Sequence, residues 1–324
     1  MKKKASIFII LCLLLVILFG LDVCSGTLWL WPFNDSLSQM ESQILHVIRL
    51  PKAVTAILAG ASLSVAGLIM QTLFRNPLAG PYTLGVSSGA SLGVALLTMI
   101  GGVLSTFNVH LSMIGLPLAA VIGATLVLLL VLAVSRRVTS NVSLLIVGMM
   151  FGSIAGALVS LMQNFANPDA LKLFIVWTLG SLSSVGWGDM QMLLPILLVG
   201  TLFVILALKP LNGLMLGEDY ARGLGINVSR TRMYIVLATG LLAGGVTAFC
   251  GPIAFIGVAV PHMARGIFHT SNHRITIPAS ALIGACLLLV CDVLCSLFVY
   301  PLPISTVSAL FGAPVIIWII LKNK

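Results

Sequence analysis

The strongest constraint on the fold is a series of apolar stretches, most of them close to the length of about 20 residues that a helix needs to cross a bilayer. They lie at residues 5–21, 53–74, 84–104, 113–134, 142–162, 190–208, 233–249, 253–267, 277–299 and 304–321. The stretch 253–267 is short, and we expect it to begin as a broken helix around Gly251 and Pro252. The pattern predicts about ten transmembrane helices, with nine or eleven as alternatives.

Charged residues are too scarce to cover a water-facing surface. Only 8% of the 324 residues are charged and 59% are hydrophobic, with a mean hydropathy of +1.16. Soluble globular proteins carry about a quarter charged residues. The sequence therefore predicts an all-α integral membrane protein in which residues 1–324 form a single transmembrane domain. The first stretch follows three lysines like a secretory signal, but no small-x-small cleavage site follows it, so we expect an uncleaved span.

The basic residues predict the orientation of the chain. With ten spans and a cytoplasmic N-terminus, only Arg49, Lys52 and Lys172 of the 17 lysines and arginines lie outside. Cytoplasmic loops of membrane proteins carry this kind of basic excess. We therefore expect a multi-pass protein with both termini in the cytoplasm and a short interfacial helix at 171–179 on the outer surface. Topology also accounts for the net charge of +9, so no nucleic-acid partner is expected.

The cysteines and histidines do not form a recognisable metal site. Five of the six cysteines lie in or against apolar stretches, and none forms a C-x-x-C pair. Buried cysteine usually behaves as a small hydrophobic residue. We expect no disulfide, no metal site and no cofactor in this chain.

If this membrane protein is an active transporter, it needs a source of energy. Ion-coupled carriers keep carboxylates or histidines within the membrane, and the acid well inside a predicted span is Asp292. Asp292 could serve ion coupling, cap a helix break or pair with a basic group from another segment. The chain has no G-x-x-x-x-G-K-[ST] phosphate loop. Active transport would therefore draw on a second polypeptide, and a self-powered ion-coupled carrier is the more distant alternative.

One charged, glycine-containing segment separates the sixth and seventh stretches on the predicted cytoplasmic side. It reads GEDYARGLGINVSRTR from residue 217 to 232. Gly217 can begin a short helix, Gly225 can turn the chain, and Asn227 can cap a second helical segment. We expect two short helices within about 212–230 that form a rigid pad for a partner. A solvated loop is the alternative.

The third and fifth stretches each carry three glycines at a spacing of four. This spacing places each set on one helix face and lets a neighbouring backbone approach closely. Ser87, Ser88 and Ser91 lie beside the first set. Two interpretations follow, namely tight helix packing or a wall along a substrate pathway that these serines line.

A short internal similarity relates the second stretch to the seventh. Leu-Ala-Gly followed by a glycine occurs at 58–67 and again at 242–251 with the same spacing. These two spans would run in opposite directions, as an inverted repeat of five plus five helices requires.

Several motifs, taken together and in order from residue 49 to 314, resemble one family: the permease subunits of ABC importers for iron–siderophore complexes, haem and vitamin B12. The motifs are RLPK (49–52), QTLFRNPLA (71–79), GVSSGA (85–90), ARGLG (221–225), FIG (255–257), VPH (260–262), HR (273–274) and GAP (312–314). The resemblance implies a homodimer with a central translocation pathway in a bacterial plasma membrane. It also implies two ATP-binding subunits that hold ATP and magnesium, and an extracytoplasmic binding protein that delivers the cargo. The chain itself would be a transport subunit and not an enzyme, carrying a ferric siderophore or, alternatively, vitamin B12 or haem.

The resemblance further implies roles for individual residues. Those of the predicted pad would couple the permease to the ATPase: Gly217, Glu218, Ala221, Arg222, Leu224 and Gly225. Arg49 and Lys52 would accept acidic groups of the binding protein, an interaction that mainly sets orientation and association rate. Many relatives also have an arginine four residues after the ninth-span aspartate, whereas this chain has Ser296 there.

The cytoplasmic gate of the family lies in the turn that enters the fifth span, after two basic residues. Here Arg136 and Arg137 precede that turn, so Ser140 and Asn141 match the gate positions. Small polar side chains could meet there across the dimer axis. A helix N-cap is an equally natural role for either residue.

Overall fold

The structure is a computed structural model that describes residues 2–26, 29–31, 38–100, 115–135, 137, 140–298 and 302–322. Within these residues it consists of helices, with no strand. The α-helices are α1 (Lys2–Cys24), α2 (Gln39–Gln43), α3 (Leu50–Phe74), α4 (Val86–Ala95), α5 (Gly115–Ser135), α6 (Asn141–Phe165), α7 (Pro168–Thr178), α8 (Trp187–Leu214), α9 (Glu218–Gly223), α10 (Val228–Cys250), α11 (Ile256–Phe268), α12 (His273–Ser296) and α13 (Ile304–Lys322). Two π-helical turns (Ile44–Arg49 and Leu96–Ile100) and one 3₁₀ turn (Pro81–Leu84) complete the described elements.

The all-helical membrane fold predicted from the apolar stretches is confirmed. Among the described residues, seven helices are long and apolar enough to cross a membrane, and three shorter apolar helices accompany them. Each predicted stretch coincides with one of these helices. Three predicted stretches have an end that lies outside the described residues, namely 84–104, 113–134 and 277–299. Arg136 also lies outside them.

Two local predictions are also confirmed. The helix α10 ends at Cys250, Gly251 follows with a φ of 73°, and α11 begins only at Ile256. The break therefore falls where Gly251 and Pro252 were expected to place it. The short helix expected at 171–179 is α7, which begins slightly earlier because Asn167 caps it by accepting a hydrogen bond from the Ala170 amide at 2.8 Å.

The second membrane helix begins earlier than its apolar stretch predicts. Helical structure is continuous from Gln39 to Phe74 and covers 36 residues. Ser38 fixes its start with a capping box, because its Oγ accepts from the Glu41 amide while the Glu41 carboxylate accepts from the Ser38 amide. Arg49 and Lys52 consequently lie inside a helix and not in the loop before it.

The contacts within the chain divide it into two compact units. The first comprises Met1–Leu68, Gly180–Met192 and Ile253–Lys324, and the second comprises Ile69–Leu179 and Leu193–Pro252. In the first unit, α12 packs against α1, α11 and α13. The helix α3 approaches two neighbours at backbone distance, since a Cβ on Gly60 would overlap the Gly284 carbonyl and a Cβ on Gly67 would overlap the Gly257 carbonyl.

In the second unit, α4 packs against α5 and α6, and α10 packs against α5 and α4. The two glycine sets take part in these contacts. The Cβ position of Gly85 lies 2.7 Å from the Gly148 carbonyl oxygen, so the two sets meet at one end. A Cβ on Gly93 would overlap the Ala119 carbonyl, whereas Gly156 has no described heavy atom within 4 Å of its Cβ position. The glycines at these contacts therefore serve close helix packing.

Candidate functional site

The pad predicted between the sixth and seventh spans contains one short helix, α9, and not two. Gly217 precedes α9 with a φ of 119°, and Gly225 follows it with a φ of 77°, both in the region that favours glycine. The Ile226 amide donates to the Ala221 carbonyl at 3.0 Å and closes the helix. Asn227 then caps the long helix α10 directly, because its side chain accepts from the Arg230 amide at 3.0 Å. The second predicted short helix is thus the first turn of α10.

The surface of α9 combines charged and large apolar side chains. Tyr220 in α9 is 55% exposed, and Leu216 and Leu224, which flank the helix on either side, are 63% and 59% exposed. Asp219 and Arg222 are exposed beside them. Of the predicted coupling residues, Arg222, Leu224 and Gly225 are exposed, Gly217 and Glu218 are half-buried, and Ala221 is fully buried. The pad therefore has an outer surface that a partner could contact and an inner side that holds it in place.

The inner side of α9 is attached through Glu218. One carboxylate oxygen of Glu218 lies 3.3 Å from Nη2 of Arg232, a residue of α10 that is only 5% exposed. The other oxygen lies 3.5 Å from Nη2 of the exposed Arg222, four residues along the same helix. Arg232 was not among the residues assigned a role from the sequence. Its position near the start of an apolar span was a usable signal, because a buried arginine requires an acidic partner.

The predicted gate residues lie at the start of α6. Ser140 occupies the N-cap position and is exposed, but its side chain makes no capping hydrogen bond to the described residues. Asn141 is half-buried, and its Nδ2 donates to the Leu73 carbonyl at the end of α3 at 2.7 Å. Arg75, two residues further on, places Nη1 3.8 Å from the Cβ position of Gly217. The end of α3 thus contacts both the predicted gate and the start of the predicted pad.

The predicted docking residues lie in a buried ion cluster in the first unit. Arg49 and Lys52 are each 7% exposed. Lys52 Nζ lies 3.0 Å from Asp292 Oδ2, and it donates to Ser296 Oγ at 2.8 Å. Of the three roles left open for Asp292, the structure shows pairing with a basic group from another segment. Ser296, four residues after Asp292 on the same helix, completes the contacts of the lysine.

Three further contacts connect this cluster to the end of α1. Asp22 is fully buried, and its Oδ1 lies 3.9 Å from Lys52 Nζ. Arg49 Nη1 donates to the main-chain carbonyls of Val23 at 3.2 Å and Cys24 at 2.8 Å. Asp22 was not identified from the sequence. The available signal was that two acids and two basic residues lie near the same ends of three apolar stretches and can balance in charge.

The three serines considered for the pathway lie on or beside the packed face of α4. Ser87, Ser88 and Ser91 are all half-buried. The Cβ position of Gly152 on α6 lies 3.3 Å from Ser88 Oγ, so Ser88 faces that helix. Lining of a pathway by these residues stays a prediction.

The fold defines a helical membrane protein with several spans, and an exposed, charged helix lies between two of them. A profile of the FecCD transport family matches residues 7–322. The chain therefore belongs to the FecCD transport family, and it is a permease component of an ABC importer.

Named relatives and a solved structure agree with this family. The uncharacterized ABC transporter permease protein YvrB of Bacillus subtilis is 38% identical over 306 residues, which are 91% of this chain and 84% of YvrB. The vitamin B12 import system permease protein BtuC of Escherichia coli (strain 536) is 36% identical over 326 residues, covering 99% of this chain and 97% of BtuC. A structure described as an inward-facing conformation of a metal-chelate type ABC transporter matches with a TM-score of 0.87 and 29% identity, covering 98% of this chain and 99% of that one.

Proposed function

We propose that this permease works as a homodimer that is driven by two ATP-binding subunits and supplied by an extracytoplasmic binding protein. ATP and magnesium bind to the ATPase and not to this chain. Membership of the family supports this assignment, and so does a sequence without a phosphate loop of its own. The excess of basic residues supports an orientation with α9 and both termini in the cytoplasm.

The surface of α9 is the observation that carries the proposal. The exposed side chains of Leu216, Tyr220 and Leu224 would be poorly placed in water, while Asp219 and Arg222 beside them would be poorly placed in hydrocarbon. A protein surface with an apolar pocket and a polar rim suits both groups. The ATPase subunit is the partner that this surface is proposed to contact.

A contiguous set of contacts supports a link from α9 to the gate. Arg75 lies beside Gly217, the residue that begins the pad. Leu73, two residues earlier at the end of α3, accepts the hydrogen bond from Asn141. We propose that displacement of α9 reaches Ser140 and Asn141 through the end of α3. The exposed Ser140 would meet its counterpart in the second subunit when the gate is closed.

Docking of the binding protein at Arg49 and Lys52 has to take their burial into account. Lys52 is held by Asp292 and Ser296 of its own chain. An acidic group of the binding protein would have to displace Asp292 in order to pair with the lysine. The pairing also accounts for Asp292 without an ion-coupling relay, and this favours ATP-driven transport over a secondary carrier.

The proposed cargo is a bulky metal-containing organic complex. A ferric siderophore is the first hypothesis. Vitamin B12 is the second, and it is favoured by the similarity to vitamin B12 permeases over almost the whole chain. Haem is a further alternative. All three are bulky and would need the wide pathway of a dimer, so size does not distinguish them in the permease. The choice among them therefore depends on the binding protein.

Reconstitution tests the proposal. The permease is placed in vesicles with and without its ATPase and binding protein, and uptake of a ferric siderophore, cyanocobalamin and haem is measured in turn. We expect accumulation of one of them only when all components and ATP are present. Accumulation by the permease alone, abolished by collapse of the proton gradient, would establish the secondary-carrier alternative.

A paired variant tests the pad separately. Changing Arg222 to Ala and Gly225 to Val alters the exposed side and the C-terminal turn of α9, so ATP hydrolysis should continue while uptake is lost. Lys172→Ala changes an exposed lysine on α7, outside the proposed ATPase contact, and is the matched control. Unaltered transport by the paired variant would exclude α9 as the coupling contact.

A further inference from the structure

Arg232 differs from the other arginines near α9. It lies in the second turn of α10 and is 5% exposed, whereas Arg222 and Arg230 are exposed. Its guanidinium nevertheless reaches out of α10 to Glu218, the first residue of α9, at 3.3 Å. A buried guanidinium is costly unless it is paired. The position of Glu218 is therefore tied closely to that of α10.

The short helix α9 has little means of fixing its own orientation. It contains six residues, and isolated helices shorter than about 12 residues are marginal in water. Two apolar contacts hold it from the other side, because Ala221 is fully buried and a Cβ on Gly213 at the end of α8 would overlap the Ile226 side chain. Such contacts resist separation but permit sliding. Among the contacts described between α9 and α10, the ion pair is a directional one.

The two ion pairs of Glu218 are not equivalent. The Arg222 side chain is 58% exposed, and a pair of this kind within one exposed helix contributes little. It also joins α9 only to itself. The Arg232 side chain is 6% exposed and joins two separate helices. A buried charge-assisted hydrogen bond is the stronger and the more directional of the two.

Any displacement of α10 would be passed on to its neighbours. A Cβ on Gly240 would overlap the Leu128 side chain of α5, and the Cβ position of Gly244 lies 3.0 Å from Val86 and 3.6 Å from Ala124. Close-packed helices of this kind move together, because their interfaces cannot deform continuously.

We propose that Arg232 is the positioning residue that transmits displacement of α9 to α10 through its ion pair with Glu218. This role rests on the proposed function of α9 as the ATPase contact. Arg232 itself is buried and touches neither ATP nor cargo. Replacement of Arg232 should leave binding of the ATPase intact. ATP turnover should continue, but it should no longer move α10.

The test follows movement of α10 without any cargo. A reporter cysteine replaces the half-buried Leu237 of α10 in a Cys12→Ser background, since Cys12 is the exposed one of the six native cysteines. The permease is assembled with its ATPase, and the rate of maleimide labelling is compared between the nucleotide-free state and the vanadate-trapped ATP state. The variants are Arg232→Gln, the conservative Arg232→Lys, and Arg230→Gln as an exposed control that forms no ion pair with any described residue.

We expect trapping to change the labelling rate in the parent and in Arg230→Gln. In Arg232→Gln the ATPase should still bind and hydrolyse ATP, while the nucleotide-dependent change in labelling shrinks about tenfold, as expected for the loss of one charge-assisted hydrogen bond. Arg232→Lys should retain more of the change than Arg232→Gln. If Arg232→Gln does not fold, as judged by thermal unfolding, Glu218→Gln removes the same ion pair from the half-buried side, and a full response in Glu218→Gln with unchanged ATP turnover overturns the role.

The two possible failures are distinguishable. If no ATPase binds the parent, the proposed function fails. If the ATPase binds and hydrolyses ATP but trapping leaves labelling of the parent unchanged, or Arg232→Gln responds as fully as the parent, the function stands and the role of Arg232 is overturned.

Discussion

The buried ion cluster makes Lys52 a position where loss of one charge should have a large effect on stability. Lys52 Nζ lies 3.0 Å from Asp292 Oδ2, 2.8 Å from Ser296 Oγ and 3.9 Å from Asp22 Oδ1. With the lysine 7% exposed, little water can replace it in Lys52→Met. Removing one partner of a buried ion pair costs about 3–5 kcal/mol, because the remaining charge is left uncompensated. We expect a loss of unfolding free energy in this range.

A second substitution should restore most of that stability. Lys52→Met leaves the buried Asp292 carboxylate without its basic partner at 3.0 Å. Lys52→Met combined with Asp292→Leu removes both members of this ion pair, so no uncompensated charge remains from it. Replacing both members of a buried ion pair by apolar side chains of similar volume is often neutral or stabilising. The two substitutions should therefore be non-additive by about 2 kcal/mol or more.

The native cysteines provide the assay. Cys291 and Cys295 lie beside Asp292 and are buried, so in a Cys12→Ser background, which removes the exposed cysteine, a thiol-reactive fluorophore reports their exposure on heating. At about 2 °C per kcal/mol, Lys52→Met should lower Tm by about 6–10 °C. Lys172→Met, at an exposed lysine, is the control and should change Tm little. A shift for Lys52→Met no larger than the control, or a double variant no more stable than the single one, would refute the reasoning.

Three further predictions use the same purified protein. Gly67→Ala forces a Cβ into the Gly257 carbonyl and should destabilise by about 3 kcal/mol; Gly156→Ala, with open space at its Cβ, is the control, and equal melting of the two would contradict the close approach. Asn141→Ala removes the 2.7 Å hydrogen bond to Leu73 and should cost about 1 kcal/mol in thermal unfolding. Ser140→Ala, which loses no capping bond among the described residues, should cost less than about 0.5 kcal/mol, and the reverse order would count against the assignment. Tyr220→Ser with Leu224→Ser should weaken ATPase binding about tenfold in a pull-down titration without changing Tm; undiminished affinity would place the ATPase elsewhere.

Much of the fold was predictable because it depends on local properties of the chain. Hydropathy and length mark the membrane helices, since the bilayer sets the length that an apolar helix must have. The break after Cys250 and the start of α7 follow from Gly251, Pro252 and the capping residue Asn167, whose effects extend over a few residues. These features required no knowledge of which segments meet.

The ion pairs could not be assigned from the sequence because they join distant segments. Lys52 and Ser296 are 244 residues apart, and both contribute to one cluster. The sequence therefore left several roles open for Asp292, and it assigned none to Asp22 or Arg232. From the sequence, the predicted docking residues were expected to be exposed at the mouth of a helix. In the structure they lie inside a continuous helix, and the ends of α1 and α12 pack there and bury them.

The same pairing explains why the starts of two helices were predicted too late from hydropathy. The predicted spans began at residues 53 and 233, just after Lys52 and Arg232, because unpaired charges are unfavourable in a membrane helix. In the structure the helices continue through these residues, back to Gln39 and to Val228. Lys52 is neutralised by Asp292, and Arg232 by Glu218, so neither charge ends its helix. In a chain with so few charges, a basic residue beside an apolar stretch therefore indicates an acidic partner on another segment. The helix boundary should be assigned only after that partner has been identified.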